Sequence, residues 1–440
     1  MPNASVPDRA KQACETRDPR EWAWVEPSVW TERMLAALVN GVKGGKWYSL
    51  WDKVGERRTL EASWHAVARN NGAAGVDGMS VERFAAHAER YLDELEADLK
   101  AGRYRPDGVK RTSIPKAGGG QRPLGIPTVK DRIVQGALKR VLEPIFEWEF
   151  LDVSYGFRPG RGAKDALREV DTALKAGHTW VVDADIEGYF DNIPHAPLLA
   201  ALKERISDGQ VLALIEAYLG QAILEDLKRW TPTQGTPQGA VLSPLLANLY
   251  LHGLDCILSE QGYRIVRYAD DFVILCADEP HARGALETVR CWMQAHGLRL
   301  HPDKTHVGDC RRRGEGFEFL GYRFEAGRRW VRKKSLNKLK DTIRTKTKRT
   351  RGASVEHIIA DLNPTLRGWF GYFKHAHRSV FPGLDGFVRR RLRAILRRQH
   401  KLPGRHGHSH ADHRRWPNAF FAARGLFTLS EAHALASQSR

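Results

Sequence analysis

The sequence predicts an α+β protein with helices packed on an antiparallel sheet. Apolar stretches of strand length, TWVVDADIEGYF at 179–190, YRIVRYADDFVILCA at 263–277 and FEFLGYRFEAG at 317–327, alternate with segments of helical period. The second stretch folds back on itself at YADD, and a tight reversal between two apolar strands makes an antiparallel pair.

In chain order, five tryptophans (Trp22, Trp24, Trp30, Trp47 and Trp51) fall on or near a helix from about Ser28 to Asn40 and the loop after it. Packing is the commoner use of Trp, so they are expected to seat this extension on the main body. A helix spans Leu60–Arg69. The Gly-rich turn NNGAAGVDGMS then leads through an N-cap, Ser80, into a helix ending near Lys100. RTSIPKAGGGQRPLGIPTVKDR at 111–132 reads as a hairpin with a glycine tip, followed by a helix over 130–150. An amphipathic helix at 163–176 enters the strand 179–190. Helices at 195–219 and 243–260 flank the turn-rich TPTQGTPQGA, and another covers 281–296. Beyond Gly327 the composition shifts to RRWVRKKSLNKLKDTIRTKTKRTR and then to helix as far as about Gln399. These shifts divide the chain into an extension (1–60), a main body (61–328), a basic helical region (329–400) and a basic tail (401–440). Within the tail, HKLPGRHGHSHADH at 400–413 reads as a flexible connection.

The net charge of +18 over 440 residues is the strongest bulk signal, because such a surface attracts polyanions and holds them through counterion release. The basic runs lack a continuous apolar face, which disfavours a membrane surface and favours nucleic acid. The absence of any bilayer-length apolar run, and of a signal-like apolar stretch near the N-terminus, leads to the expectation of a cytoplasmic protein without a membrane partner. Five cysteines without a C-x-x-C pair argue against a disulfide framework and a structural zinc site.

The chemistry concentrates in the carboxylates. Asp270 and Asp271 sit between apolar strands, where adjacent like charges are unfavourable unless something positive joins them. The other acid-bearing apolar strand offers Asp183, Asp185 and Asp191, with Asp183 and Asp185 on one face and Ala184 and Ile186 toward the core. Oxygen ligands at this density suit Mg²⁺, and two such ions roughly 4 Å apart would activate an attacking hydroxyl and stabilise a leaving oxygen in phosphoryl transfer. That pattern points to nucleotidyl transfer. Asp183 and Asp191 can equally be a turn cap or a surface acid.

The ordered blocks IPK…G…RPLGIP, SYGFRP, DADIEGYFDNI, TPQGAVLSPLLANLYL, RYADDF, GLRLHPDKT and FLGY resemble those of reverse transcriptases of the group II intron type over residues 70–325. The resemblance implies a right-hand polymerase with fingers and palm, followed by an α-helical thumb or maturase domain. It implies catalytic metal ligation, by two Mg²⁺ ions, at Asp185, Asp270 and Asp271. Lys116 and Arg122 correspond to groups that grip the incoming triphosphate. Phe190 corresponds to the bulky residue under the sugar that favours deoxynucleotides. Gln238 corresponds to a contact with the nucleotide, and Lys304 to the lysine that protonates leaving pyrophosphate. NNGAAGVDG resembles an extension block before the fingers, and LNPTLRGWFGYFKHA at 362–376 resembles the RNA-binding maturase region. The ending resembles the short bacterial members that lack an endonuclease. The implied partners are group II intron RNA, an RNA template with a DNA primer or target DNA, and dNTPs. A splicing cofactor without polymerase activity, or a host-domesticated reverse transcriptase, are the alternatives. Clustered carboxylates, which repel RNA, speak against the first, and the TPQG block with a basic thumb against a diversity-generating type.

Overall fold

The computed structural model describes residues 22–115, 120–403, 407 and 409–438. The chain packs as two compact units, Met1–Val307 and Gly308–Arg440.

The first unit begins with α1 (Glu32–Asn40), α2 (Trp51–Val54), α3 (Arg57–Asn70), α4 (Val81–Ala85) and α5 (Ala88–Lys100). Ser80 caps α4, its hydroxyl accepting from Arg83 N. The expected single helix to Lys100 is broken where His87 leaves helical geometry at φ −138°. Trp30 is buried and donates from Nε1 to Arg140 O at 3.0 Å, while Trp22 stacks on Trp148. The N-terminal tryptophans therefore serve packing. Hairpin β1 (Val109–Pro115) and β2 (Gln121–Ile126) leads into α6 (Val129–Glu147), which is buried along most of its length. Next come α7 (Ala163–Lys175), β3 (Trp180–Asp185) and the short α8 (Tyr189–Asn192). The strand expected over 179–190 thus ends at Asp185, because Gly188 adopts φ +54° and turns the chain into α8.

The helix expected at 195–219 is two, α9 (His195–Arg205) and α10 (Gly209–Leu219). Asp208 causes the break. One carboxylate oxygen caps α10 at Gln210 N and Val211 N, and the other accepts from Leu50 N and Trp51 N, both at 2.8 Å. A small hairpin, β4 (Ile223–Glu225) and β5 (Lys228–Trp230), follows; its three-residue strands are too short to show a period in sequence. β4 pairs parallel to β1, giving the sheet order β2-β1-β4-β5. The buried α11 (Ser243–Glu260), then β6 (Arg264–Tyr268), β7 (Asp271–Cys276), α12 (Glu279–Ala295) and β8 (His306–Asp309) complete a second sheet of order β6-β7-β3-β8. β7 is antiparallel to both β6 and β3. Val182, Ala184, Phe272 and Ile274 join the apolar core with Leu254 and Leu258 of α11 and Ala282 and Val289 of α12. This burial stiffens the strands that end at the carboxylates.

In the second unit, β9 (Phe317–Phe319), β10 (Tyr322–Glu325) and β11 (Arg328–Val331) form an antiparallel sheet, followed by α13 (Lys333–Lys346), α14 (Val355–Phe373), α15 (Val380–Gln399), α16 (His410–Arg415), α17 (Asn418–Ala422) and α18 (Leu429–Gln438). The aromatic run of α14 packs inward. Phe373 lies against Tyr322, Phe370 against Phe381 and Phe427, and Tyr372 donates to Leu320 O at 2.8 Å. Part of the stretch read as a flexible connection is helical, because Ser409 and Asp412 form a reciprocal capping box on α16. The arginine run of α15 is also less outward than its composition suggests. Arg393 is buried and donates to Trp416 O, Arg391 donates to Thr347, and Arg397 pairs with Asp412, whereas Arg390 and Arg398 are exposed. Residues 404–406 and 408 of the histidine-rich stretch lie outside the described residues.

Candidate active site

Antiparallel register brings two of the predicted carboxylates together. Asp185, the last residue of β3, stands directly opposite Asp271, the first of β7, so both side chains leave the same face of the sheet. Asp270 occupies the two-residue loop between β6 and β7. Its neighbour Ala269 has φ +59°, the sign that a tight hairpin requires at its first loop position. Burial and the nearby Asp185 carboxylate push the Asp270 carboxyl above its ordinary range, and the guanidiniums of Arg122 and Arg267 act in the opposite direction. Arg122, exposed on β2, therefore projects its charge onto the carboxylate cluster.

The loop is held from behind by groups that sequence reading passed over. Arg267, fully buried, forms a fork with Asp255 at 2.8 and 2.5 Å and donates to Asn248 Oδ1 and Ala269 O, each at 2.9 Å. Asn248 in turn donates to Gly156 O at 2.8 Å. A Cβ on Gly156 would lie 2.3 Å from Ala269 N, so only glycine lets the SYGFRP segment pass beneath the turn. Arg158 of the same segment is buried against Glu147 at the end of α6, with three contacts of 2.7–3.0 Å. SYGFRP is thus a support for the carboxylates. Its sequence signal is its place among the ordered blocks, since the lone glycine and lone arginine within it are otherwise ordinary for a loop.

Lys304 joins the site through the loop after α12. Its Nζ stands 2.7 Å from Asp185 Oδ2, and the loop is anchored by His301 N donating to Asp185 O at 2.8 Å. Asp183 lies beside His306 Nε2 at 3.8 Å. Phe190 and Gln238 belong to one wall. Thr236 N donates to Phe190 O at 2.7 Å, Gln238 Nε2 donates to Asp191 Oδ2 at 3.3 Å, and Gly125 N of β2 donates to Gln238 O at 2.6 Å. Phe190 is half-buried, its ring edge-on to Tyr189. Lys116 lies outside the described residues.

Among the described residues, no group of three or more His, Cys, Asp or Glu side chains is poised to hold a metal ion, and Asp185 carries the Lys304 ammonium instead. The donor chemistry nevertheless suits a hard cation. The three acids supply oxygen only, two of them are fixed by strand register, and the third is in electrostatic conflict that a cation would relieve. Among the described residues, no helix is long and apolar enough to cross a membrane.

The chain is similar to known proteins over much of its length. Residues 114–324 match the family model of the reverse transcriptase (RNA-dependent DNA polymerase), and residues 336–416 match the group II intron maturase-specific domain. Protein YkfC of Escherichia coli (strain K12) is 32% identical over 347 residues, covering 69% of this chain and 85% of that protein. The group II intron-encoded protein LtrA of Lactococcus lactis subsp. cremoris is 40% identical over 187 residues, 42% of this chain and 31% of LtrA. Among solved structures, a chain of the partial Cas6-RT-Cas1–Cas2 complex shares 26% identity at a TM-score of 0.36, over 56% of this chain and 41% of that one. A reverse transcriptase region followed by a maturase region defines the class: the chain belongs to the group II intron reverse transcriptases, a family of RNA-directed DNA polymerases.

Proposed function

We propose that the protein extends a primer 3′-hydroxyl with dNTPs on an RNA template, and that it binds the RNA of a group II intron to assist splicing and mobility in the cytoplasm. The observation that carries the polymerase reading is the register pairing of Asp185 with Asp271 beside the Asp270 loop. Two Mg²⁺ ions held by Asp185, Asp270 and Asp271 would lower the cost of ionising the primer hydroxyl and balance charge on the departing oxygen. The chain's own groups do the rest. Arg122, on β2, supplies positive charge for the triphosphate, and Lys116 a second charge; a planar fork and a point charge suit different phosphate oxygens. Phe190, in α8 just after β3, provides an aromatic surface under the sugar that excludes a 2′-hydroxyl. Gln238, with its backbone tied to β2, presents its amide to the nucleotide. Lys304 stands as an ammonium at the edge of the cluster, placed to give a proton to the leaving pyrophosphate once it quits Asp185.

The test is primer extension on an RNA template with Mg²⁺ and dNTPs. Asp270→Asn is expected to reduce the rate by at least about 10³-fold while RNA affinity stays within about twofold, since losing a carboxylate removes metal-borne stabilisation of the transition state. Undiminished synthesis by that variant removes the proposed site.

A further inference from the structure

A cavity of about 690 Å³ opens between the C-terminal part of α12 and the loop 297–305. Asp185, Asp270 and Asp271 do not line it. Its wall combines three kinds of group. Met293 and Leu298 are buried and form an apolar floor. Arg290 and Arg299 stand exposed at the wall, and Arg290 meets Glu287 only loosely, at 3.7 Å. His301 and Thr305 contribute Nδ1 and Oγ1, two buried atoms without a hydrogen-bond partner in the protein. Buried polar atoms are seldom left so, because they have given up water without replacement.

Each group asks for a different part of one ligand. Two guanidiniums match a phosphate, an apolar floor matches the face of a base, and an unpaired ring nitrogen with an unpaired hydroxyl matches a base edge or a sugar hydroxyl. The volume is that of a small-molecule site. We propose that this cavity binds a nucleoside monophosphate, either free or as one unit of a single strand, apart from the carboxylate cluster. The position gives such binding a consequence. Glu187 N donates to Arg299 O at 2.9 Å and Ile186 bridges to Leu300, so the cavity loop is stitched to the chain leaving β3 and carries Lys304 on its far side. Occupancy would therefore brace the segment that positions Asp185 and Lys304.

The experiment uses the full chain in EDTA, so that its outcome does not depend on polymerisation. Two photoreactive probes are compared: 4-thiouridine 5′-monophosphate, and a short single-stranded RNA carrying one 4-thiouridine. Adducts are located by mass spectrometry. Adducts within 290–305 are expected, and the double variant Arg290→Ala, Arg299→Ala, which alters only exposed side chains, should lower them at least tenfold while adducts elsewhere persist. Thr305→Val should lower them about threefold. Adducts from the free nucleotide identify a mononucleotide site, and adducts from the RNA alone identify a strand-binding site; either supports the proposal. An absence of adducts in this segment with both probes, as for a cavity that holds only water, overturns it, as does a yield unchanged by the double variant.

Discussion

At the scale of single residues, the site depends on atoms that never meet a substrate. Gly156 is the sharpest case: a methyl group there would drive into the backbone of Ala269 and displace the turn that carries Asp270. Gly156→Ala is expected to lower the polymerisation rate by about 10²-fold, the effect of a misplacement of ~1 Å, while circular dichroism shows the fold retained. Steady-state primer extension checks it; wild-type rates would show that the turn tolerates the shift. Asp270 and Asp271 were conspicuous in sequence because adjacent acids between apolar strands are chemically unusual, whereas Asp185 stood beside Asp183 and Asp191 until the order of the blocks singled it out. Gly156 was not, since a glycine inside a loop has many ordinary uses and the close approach exists only once the chain is folded. Arg267 was hidden for a related reason. An arginine on β6 of a basic protein looks solvated until its buried partner, Asp255 of the preceding helix α11, is brought against it.

At the scale of elements, two polar clusters hold strands and helices in place. Arg267 and Asp255 tie α11 to β6 with side chains at 0% exposure. Asp255→Leu strands the guanidinium and is expected to destabilise the first unit by about 3–5 kcal/mol, measured by urea unfolding. A loss below about 1 kcal/mol would mean that Asn248 and Ala269 alone satisfy Arg267. The second cluster sits at the start of α6. Asp131 accepts from Tyr104 Oη at 2.5 Å and from Asp107 N at 3.2 Å, and Tyr104 contacts Tyr218 at 2.8 Å. Burial raises the Asp131 carboxyl from 3.8 to about 7. A carboxyl with a raised pKa binds more protons in the folded state, so its contribution to stability is greatest below 3.8 and is lost as pH rises to about 7. Asp131→Asn should flatten the pH dependence of stability across that window, and thermal melts from pH 4 to 8 read it. An unchanged slope would show that other groups set it. Element boundaries were only partly legible: the capping preference of Ser80 was visible, but the break at Asp208 is bound up with its contacts to Leu50 and Trp51, more than 150 positions away.

At the scale of the whole molecule, the charge of +18 is distributed over a protein that uses several of its arginines internally, among them Arg158, Arg267 and Arg393. Enough remain outside for counterion release to govern association. Affinity for single-stranded RNA is expected to fall by about 10³-fold or more between 50 and 200 mM salt, as for proteins that meet about seven or more phosphates of a single strand. A filter-binding titration with a shallow salt slope would contradict this. Legible from the sequence were the α+β class, the adjacent acids Asp270 and Asp271 and the order of the blocks, because apolar alternation and acids between apolar strands are local signals, whereas Asp185 was separated from Asp183 and Asp191 only by the family resemblance. The tertiary structure alone decided that Asp185 faces Asp271, that Lys304 reaches Asp185 across 119 positions, that SYGFRP supports the turn, and that the aromatics of α14 serve packing. These are pairings between segments distant in sequence, and only packing fixes their register.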